Sequence, residues 1–287
     1  MPIARALRTM LLAGTALVPL GALAQAPDAR PDLGRVVVGG ITIEQDAART
    51  AVTQTQQRGI VEWRRFDVGR DHTVAFQQPN ARAVTLNRVE ARDPSLIAGR
   101  ITANGQVVIV NRSGVVFQQG AQVDAAGLVV TTADITDENF LAGRMAFDQP
   151  GEPGARVENN GQITIREAGL AALVAPRVAN NGTITARLGR VALAGAETHT
   201  VDLHGDGLFE IEITRPVTVA PADGGPLVTN DGTILADGGR VRITAAAADG
   251  IVQDLEQARG RIAAATAAAT ARTGDVRMAG TGGAIRV

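Results

Sequence analysis

Asn-Asn-Gly-Gln-Ile-Thr-Ile, residues Asn159–Ile165, is the first of three near-copies of one phrase. Asn-Asn-Gly-Thr-Ile-Thr-Ala follows at Asn180–Ala186, 21 positions later (159 to 180), and Asn-Asp-Gly-Thr-Ile-Leu-Ala stands at Asn230–Ala236. A turn residue, a glycine and an alternating strand, repeated at the length of one coil, are typical of a β-solenoid. The phrase therefore predicts stacked coils, with corners at Asn160, Gly161, Asn181, Gly182, Asn230 and Gly232.

The alternation inside each copy predicts which side chains form the core. Side chains in a strand point alternately to opposite faces. In the second copy, Ile184 and Ala186 therefore point one way, and Thr183 and Thr185 point the other. Stacking aligns the inward aliphatic side chains into one core, while glycine and asparagine fit the corners because they tolerate positive φ.

The spacing of the copies predicts an insertion. The second and third copies begin 50 positions apart (180 to 230), far more than one coil. Between them, Thr200–Leu203 and Leu208–Ile213 are typical of two strands around a turn at His204–Gly207. We therefore expect a hairpin outside the coil, over about residues 197–215.

The first 24 residues have the pattern of an export signal. Arg5 and Arg8 precede a short apolar stretch, Met10–Leu20, and Ala22–Ala24 supplies small residues for cleavage. The stretch is too short to span a bilayer as a stable helix. We therefore predict a signal peptide over residues 1–24 and export to the periplasm; a buried N-terminal helix is the alternative.

Composition narrows the possible functions. The formal net charge is −1, and loss of the two signal arginines would leave −3, which argues against a nucleic-acid-binding protein. The chain has no cysteine, hence no disulfide framework and no thiol chemistry. Aromatic residues make up only 2% of the chain, beside 33 glycines, which fits a narrow core of small aliphatic side chains.

The early position of the aromatic residues predicts a cap. A solenoid needs one because an open first coil would expose its core and unpaired strand edges. We assign the cap to Val36–Phe76, which contains the single tryptophan, Trp63. The capped solenoid is predicted over residues 25–245. Further coils are predicted over 246–287, where the repeat still runs at the last residue, so we expect the coil to be cut short or closed by something else.

Two regions are ambiguous by local propensity. Asp137–Gly143 could form one helical turn, and the alanine-rich Ala245–Arg272 would be a helix by propensity alone. However, Arg261–Ala264 continues the repeated phrase and Gly274–Met278 completes it. We therefore predict strands in this alanine-rich region.

Three segments resemble a known family in consistent order. Arg58–Val68, Pro79–Val89 and Gly99–Ile135 resemble the N-terminal secretion domain of the filamentous haemagglutinin family, exoproteins of two-partner secretion in Gram-negative bacteria. The resemblance implies an all-β fold, a right-handed parallel β-helix with an N-terminal β cap, here with an extra-helical hairpin. It also implies an outer-membrane transporter whose periplasmic domains recognise the chain, followed by secretion or display at the cell surface, at the head of an adhesin.

The family's short motifs are only partly kept. Its Asn-Pro-Asn-Gly-Ile is matched by Asn111-Arg112-Ser113-Gly114-Val115, with the first Asn, the Gly and an aliphatic residue retained. Its Asn-Pro-Asn-Leu has its nearest counterpart at Gln78-Pro79-Asn80-Ala81. Asn, Ser and Gly still suit a tight turn. Asn111, Arg112, Ser113, Gly114, Val115, Pro79 and Asn80 are thus either transporter-recognition residues or ordinary corners of the coil.

Catalytic and metal-binding chemistry has weaker support. His199, Asp202, His204 and Asp206 are close in sequence, but in a strand residue 199 faces away from 202 and 204, so we predict no metal site. A β-helix that cleaves polysaccharide needs carboxylates clustered on one face. The candidate carboxylates are predicted to lie in turns or on the surface: Asp124, Asp134, Asp137 and Glu138.

We therefore expect no enzymatic activity, no catalytic residue and no cofactor. Two other functions stay open at this stage. One is a carbohydrate-active β-helix, and the other is a standalone surface or matrix adhesin that binds a host cell or a glycan.

Overall fold

The computed structural model describes residues 25–203, 210–248, 254–264, 275–281 and the backbone of 284–286. The predicted signal peptide, the predicted turn at His204–Gly207 and the metal candidates His204 and Asp206 lie outside the described residues. No described helix is long and apolar enough to cross a membrane.

The chain winds through three sheets, and successive strands of a coil belong to sheets C, B and A in that order. Sheet A contains β1 (Asp32–Val38), β4 (Arg58–Arg65), β6 (Val84–Val89), β9 (Gln106–Asn111), β12 (Gly127–Thr131), β16 (Leu170–Ala175), β19 (Arg190–Gly195), β24 (Arg240–Ala246) and β27 (Asp275–Thr281). Sheet B contains β2 (Ile41–Gln45), β3 (Arg49–Gln54), β5 (Thr73–Gln77), β8 (Arg100–Ala103), β11 (Gln122–Ala125), β15 (Gln162–Ile165), β18 (Thr183–Ala186), β23 (Thr233–Leu235) and β26 (Arg261–Ala263). Sheet C contains β7 (Ser95–Ile97), β10 (Gly114–Phe117), β14 (Arg156–Asn159), β17 (Arg177–Asn180), β22 (Val228–Asn230), β25 (Asp254–Ala258) and β28 (Ala284–Arg286).

Parallel, in-register pairing aligns like residues from coil to coil. Ile163 pairs with Ile184, Ile184 with Ile234 and Ile234 with Ile262, and the first three of these are buried in the core. The outward threonines Thr183 and Thr185 are less buried, as the alternation predicts. The predicted parallel β-helix, with one core inside the coil, is confirmed.

A second core lies on the outer face of sheet A. It is covered by the short helix α1 (Asp137–Leu141) and by a small antiparallel sheet of β13 (Ala146–Phe147), β20 (Thr198–Val201) and β21 (Ile211–Arg215). Phe140 and Phe147 from this cover pack against sheet A residues such as Val129 and Ala172. The predicted hairpin is therefore present as β20 and β21, and β13 pairs with it as a third strand that was not predicted.

The antiparallel cap is shorter than predicted. At this end of the coil, the antiparallel pairs are those of β1 with β4 and of β2 with β3. From Arg49 onward the strands already pair in parallel with the next coil. The prediction of a cap over Val36–Phe76 included Trp63 and Phe66, but these aromatic side chains fill the core of the first coils.

The two ambiguous regions have different outcomes: one forms a helical turn, and the described part of the other follows the repeat. One helical turn is present at α1, where the Thr136 side chain accepts a hydrogen bond from the Asn139 backbone N–H. The described part of the alanine-rich region contains strands β25 and β26, which pair in parallel with β22 and β23. Residues 249–253 and 265–272 of that region, and Gly274 after it, lie outside the described residues, whereas Asp275–Met278 belong to β27.

The three kinds of corner differ in length. Corners from sheet C to sheet B are short and nearly constant, as between β14 and β15 or between β17 and β18. Corners from sheet A to sheet C range from one residue, Pro176, to the long insertions 132–155 and 196–227. Both of these insertions contribute to the cover of sheet A, so both add to the coil at the same edge.

Candidate functional site

The turn at Asn111–Val115 is a corner from sheet A to sheet C. Asn111 is fully buried, and its side-chain oxygen accepts a hydrogen bond from the Ser113 backbone N–H at 2.9 Å. Its Nδ2 donates to the Asp93 carbonyl and to Ser95 Oγ, both at 3.0 Å. One buried amide thus shapes its own turn and ties it to the loop of the preceding coil.

Gly114 and Val115 complete this turn. Gly114 has φ = 120°, a conformation that favours glycine, and a Cβ there would lie 2.5 Å from the Arg156 carbonyl oxygen. Val115 is buried in the core and pairs with Ser95 and Val157 of neighbouring coils. Both residues are therefore required by the packing of the corner.

Arg112 and Ser113 form the outward part of the turn. Arg112 is exposed, and its Nη2 donates to the Pro150 carbonyl at 2.9 Å. Its own carbonyl accepts a hydrogen bond from the Glu152 backbone N–H at 2.8 Å. Arg112 therefore holds the end of the insertion 132–155 against the turn.

Two cavities adjoin this turn. One, of about 500 Å³, is lined by residues that include Arg88, Glu90, Arg112 and Asp134. The other, of about 470 Å³, lies between Pro94 and the segment Glu152–Ala155. Both cavities share the same three residues, Arg92, Ser113 and Glu152.

Arg88 fixes the wall of the larger cavity. Its guanidinium contacts Asp134 at 2.9 Å, Asp137 at 2.9 Å and Glu62 at 3.4 Å, and Nη2 also donates to the Ile135 carbonyl at 2.7 Å. A hydrogen bond from Arg35 is the main cause that lowers the pKa of Glu62. This ion-pair network joins the cap, the coil and the insertion 132–155, so the wall is rigid.

The second motif lies at another corner. Pro79 and Asn80 are exposed in the turn between β5 of sheet B and β6 of sheet A. Asn80 Oδ1 accepts hydrogen bonds from the Arg82 and Ala83 backbone N–H groups at 2.9 and 3.1 Å. This local turn and the turn at Asn111 belong to different corners of the coil.

The repeated corners form a ladder of asparagine side chains. Asn159, Asn180 and Asn230 are fully buried, and each Nδ2 of the first two donates to Oδ1 of the next at 2.7 Å. The predicted corner residues Asn160 and Asn181 lie one position further along and nearer the surface, with their own contact of 2.8 Å. The sequence carried a signal for this, since position one is Asn in all three copies while position two is Asp231 in the third.

Gly161, Gly182 and Gly232 stack directly beside the ladder. A Cβ on Gly182 would lie 2.1 Å from the Gly161 carbonyl oxygen, and a Cβ on Gly232 would lie 2.1 Å from the Gly182 carbonyl oxygen. These glycines are needed because backbone approaches backbone at this corner.

Only two of the four candidate catalytic carboxylates are brought together. Asp134 and Asp137, both in the insertion 132–155, contact Arg88, whereas Asp124 is exposed on sheet B and lies 3.5 Å from Arg166. Glu138 pairs with Arg144 at 3.0 Å. Among the described residues, no group of three or more His, Cys, Asp and Glu could hold a metal ion.

His199 is a buried member of the cover. Its ring stacks on Phe147 with 4.9 Å between centroids, and burial lowers its pKa to about 3. Neither ring nitrogen has a hydrogen-bond partner in the part of the chain that the structure describes. The residue thus packs as a neutral aromatic ring.

Known proteins resemble this chain in sequence and in fold. Two heme/hemopexin-binding proteins of Haemophilus influenzae are similar. One is 40% identical over 115 residues (40% of this chain and 12% of that protein), and the other, from strain Rd, is 32% identical over 180 residues (60% and 20%). The chain therefore spans a fifth or less of the length of these relatives.

The crystal structure of the HMW1 secretion domain from Haemophilus influenzae matches with a TM-score of 0.74 and 25% identity, over 89% of this chain and 66% of that one. The TPS (two-partner secretion) secretion domain family matches residues 28–287. This match covers almost the whole chain and agrees with its parallel coil. The chain belongs to the TPS secretion domain family.

Proposed function

We propose that this domain leads a larger exoprotein through the outer membrane. Family membership implies an outer-membrane transporter as the partner. In our proposal, periplasmic domains of that transporter bind the domain in transit, and the domain then starts β-helix folding outside the cell. The observation that carries the proposal is the family match over residues 28–287 on an unbroken stack of coils.

The architecture supplies a driving force for the last step. Each coil buries new aliphatic side chains, such as Ile184 and Ile234, against the coil before it. Burial of apolar surface is favourable, and in a solenoid it accumulates one coil at a time. Folding outside the cell would therefore favour outward movement of the chain.

We place transporter recognition at the turn corners named above. Arg112 and Ser113 are the outward residues of one corner, and Pro79 and Asn80 those of another. In this proposal Asn111, Gly114 and Val115 act as scaffold, since all three are buried. In this proposal the transporter therefore contacts the outward residues of the two corners and not the buried ones.

Other activities of the complete exoprotein belong, in our proposal, to segments other than this domain. The family is one of secretion domains and not of enzymes. Among the described residues, His72 and His199 are both buried, so neither presents an imidazole to a heme at the surface. Adhesion to a host cell or glycan, and any ligand like those of the two named relatives, are accordingly assigned to the rest of the exoprotein.

The test is a deletion in cells that carry the cognate transporter. Removal of Val36–Asn111 from the full-length exoprotein deletes the cap, the first coils and the first residue of the Asn111 turn. We expect the deleted protein to accumulate in the periplasm, measured by cell fractionation and immunoblotting. Undeleted protein without the transporter is the matched control. Normal secretion of the deleted protein would contradict the proposal.

A further inference from the structure

Two exposed charges of opposite sign, Arg92 and Glu152, lie beside the Asn111 turn, and we infer that they select the transporter. Arg92 and Glu152 both line both cavities beside Ser113. We propose that a peptide segment of the transporter's periplasmic domain lies across this turn, with a carboxylate facing Arg92 and a cationic side chain facing Glu152. The inference rests on the proposed function and names the residues that distinguish the cognate transporter from others.

Several neighbouring charged side chains form ion pairs, whereas Arg92 and Glu152 form none with the described residues. The same is true of Glu90, which lines only the larger cavity. Nearby, Arg65 contacts Asp67 and Asp93, Arg156 contacts Glu158, and Arg88 contacts three carboxylates. By contrast, neither Arg92 nor Glu152 forms an ion pair with any residue in the described ranges, including each other. Both side chains are exposed, so they can pair with a group supplied from outside.

Both charges are held by the same turn. The loop that carries Arg92 is tied down through the neighbouring Asp93 carbonyl, which accepts a hydrogen bond from Asn111. Glu152 is held through its backbone N–H, which donates to the Arg112 carbonyl. The turn therefore fixes the positions from which the two side chains extend, and less order is lost when a partner binds.

The mixture of charges indicates the class of ligand. Phosphate or nucleic acid would meet Glu90, Asp134 and Glu152 around the same cavities, and like charges at this range repel. A polypeptide segment can offer a carboxylate on one side and a cation on the other. Complementary charges of this kind steer association and reject wrong partners.

The variants R92E and E152R each reverse one charge, and R187E and E167R are matched controls. Arg187 and Glu167 are also exposed but lie at corners between sheets B and A. Binding of the purified full chain to the isolated periplasmic domains of the cognate transporter is measured at low and at high salt. We expect R92E and E152R to weaken binding about tenfold at low salt and less at high salt, because salt screens exposed charges. The controls should bind like the unchanged chain.

The outcomes separate this inference from the proposed function. If the unchanged chain binds and R92E and E152R bind equally well, the charge-reading inference is wrong while the proposed function stands. Equal weakening in the controls also overturns it, since the effect would then be one of net charge. If the unchanged chain does not bind the periplasmic domains at all, the proposed function itself fails. Circular dichroism of each variant checks that the fold is kept, and exchange of the two charges in the transporter segment should restore binding to the double variant R92E/E152R.

Discussion

The corner at Asn111 and the first ladder corner, at Asn159, share one local hydrogen bond but differ in what else the asparagine binds. In both, a buried asparagine oxygen accepts a hydrogen bond from the N–H two residues on, Ser113 at 2.9 Å in one and Gly161 at 3.1 Å in the other. The partners of the side-chain NH2 differ. Asn111 donates to a unique loop, whereas Asn159 donates to the same residue of the next coil.

This difference suits the ladder corners to stacking of the coils and the Asn111 corner to recognition by a partner. A ladder repeats one environment, so it stabilises the coil without marking any position along it. The Asn111 corner is bonded instead to two different loops, which carry the exposed charges Arg92 and Glu152. A surface that a partner must identify needs such a unique arrangement.

The largest expected effect tests how tightly the unique corner is built. Gly114→Ala combines a left-handed backbone with a Cβ 2.5 Å from the Arg156 carbonyl oxygen, and we expect a loss of at least about 3 kcal/mol in the free energy of unfolding. Gly120→Ala is the matched control, because Gly120 also has positive φ (91°) but nothing lies within 4 Å of the added Cβ. Urea unfolding measures both. Equal losses would show that only backbone strain, and not the close approach, matters at Gly114.

The next effect tests the ladder. Asn180→Ala removes two hydrogen bonds of 2.7 Å and leaves the Asn159 donor and the Asn230 acceptor buried without them. Unsatisfied buried groups cost about 1–3 kcal/mol each, so we expect a loss of about 3 kcal/mol. Asn181→Ala, on the outer row, should lose less than about 1 kcal/mol. Similar urea midpoints for the two variants would mean that the ladder adds no stability.

A smaller effect concerns His199, a buried polar ring that, unlike the ladder asparagines, has no hydrogen-bond partner among the described residues. His199 stays neutral in the folded state down to pH about 3, because burial lowers its pKa, whereas an unfolded histidine takes up a proton near 6.5. The unfolded state therefore binds more protons between these values, and the free energy of unfolding falls as pH falls below about 6.5. At pH 5 we expect a loss of about 2 kcal/mol relative to pH 7.

His199→Phe keeps the stacking on Phe147 and removes the titration. Thermal unfolding from pH 7 to pH 5, with this variant beside the unchanged chain, checks the prediction. The variant should lose less stability over this range. Parallel curves for the two proteins would show that His199 does not titrate in this way.

The smallest expected effect concerns Glu256, which lies in the row of side chains next to the asparagine ladder in sheet C. In that row Val115, Val157, Val178 and Val228 are followed in register by Glu256, which is buried and has no side-chain partner among the described residues. Burial raises the pKa of Glu256 to about 8. The folded state therefore holds a proton on Glu256 that the unfolded state releases near pH 4.5. The free energy of unfolding consequently falls as pH rises from about 4.5 toward 8.

Glu256→Val should therefore raise the unfolding temperature, and more at pH 8 than at pH 5. Matched scans of the variant and the unchanged chain at the two pH values measure this. A gain that is the same at both values would contradict the assigned titration.

The repeat made the coil predictable, and the insertions made the site hard to predict. Alternation in Thr183–Ala186 fixes the inward faces because neighbouring strands pair in register. No local pattern, however, brings Arg92 to the same cavities as Glu152, or Arg88 to Asp134. These contacts exist because the insertion 132–155 returns to the coil beside Arg112. The cap was overestimated for a similar reason, since aromatic content does not reveal whether a strand pairs in parallel.

The variable corner between sheets A and C has a consequence for loop-closure entropy. Gly114 pairs with Arg156, 42 positions on (114 to 156), while Arg156 pairs with Arg177 after only 21 (156 to 177). Doubling a flexible loop costs only about 0.6 kcal/mol, so the coil resumes its register across a long insertion at little expense. Pro176, the one-residue corner between β16 and β17, is therefore a natural place to graft a foreign segment while leaving both neighbouring coils intact.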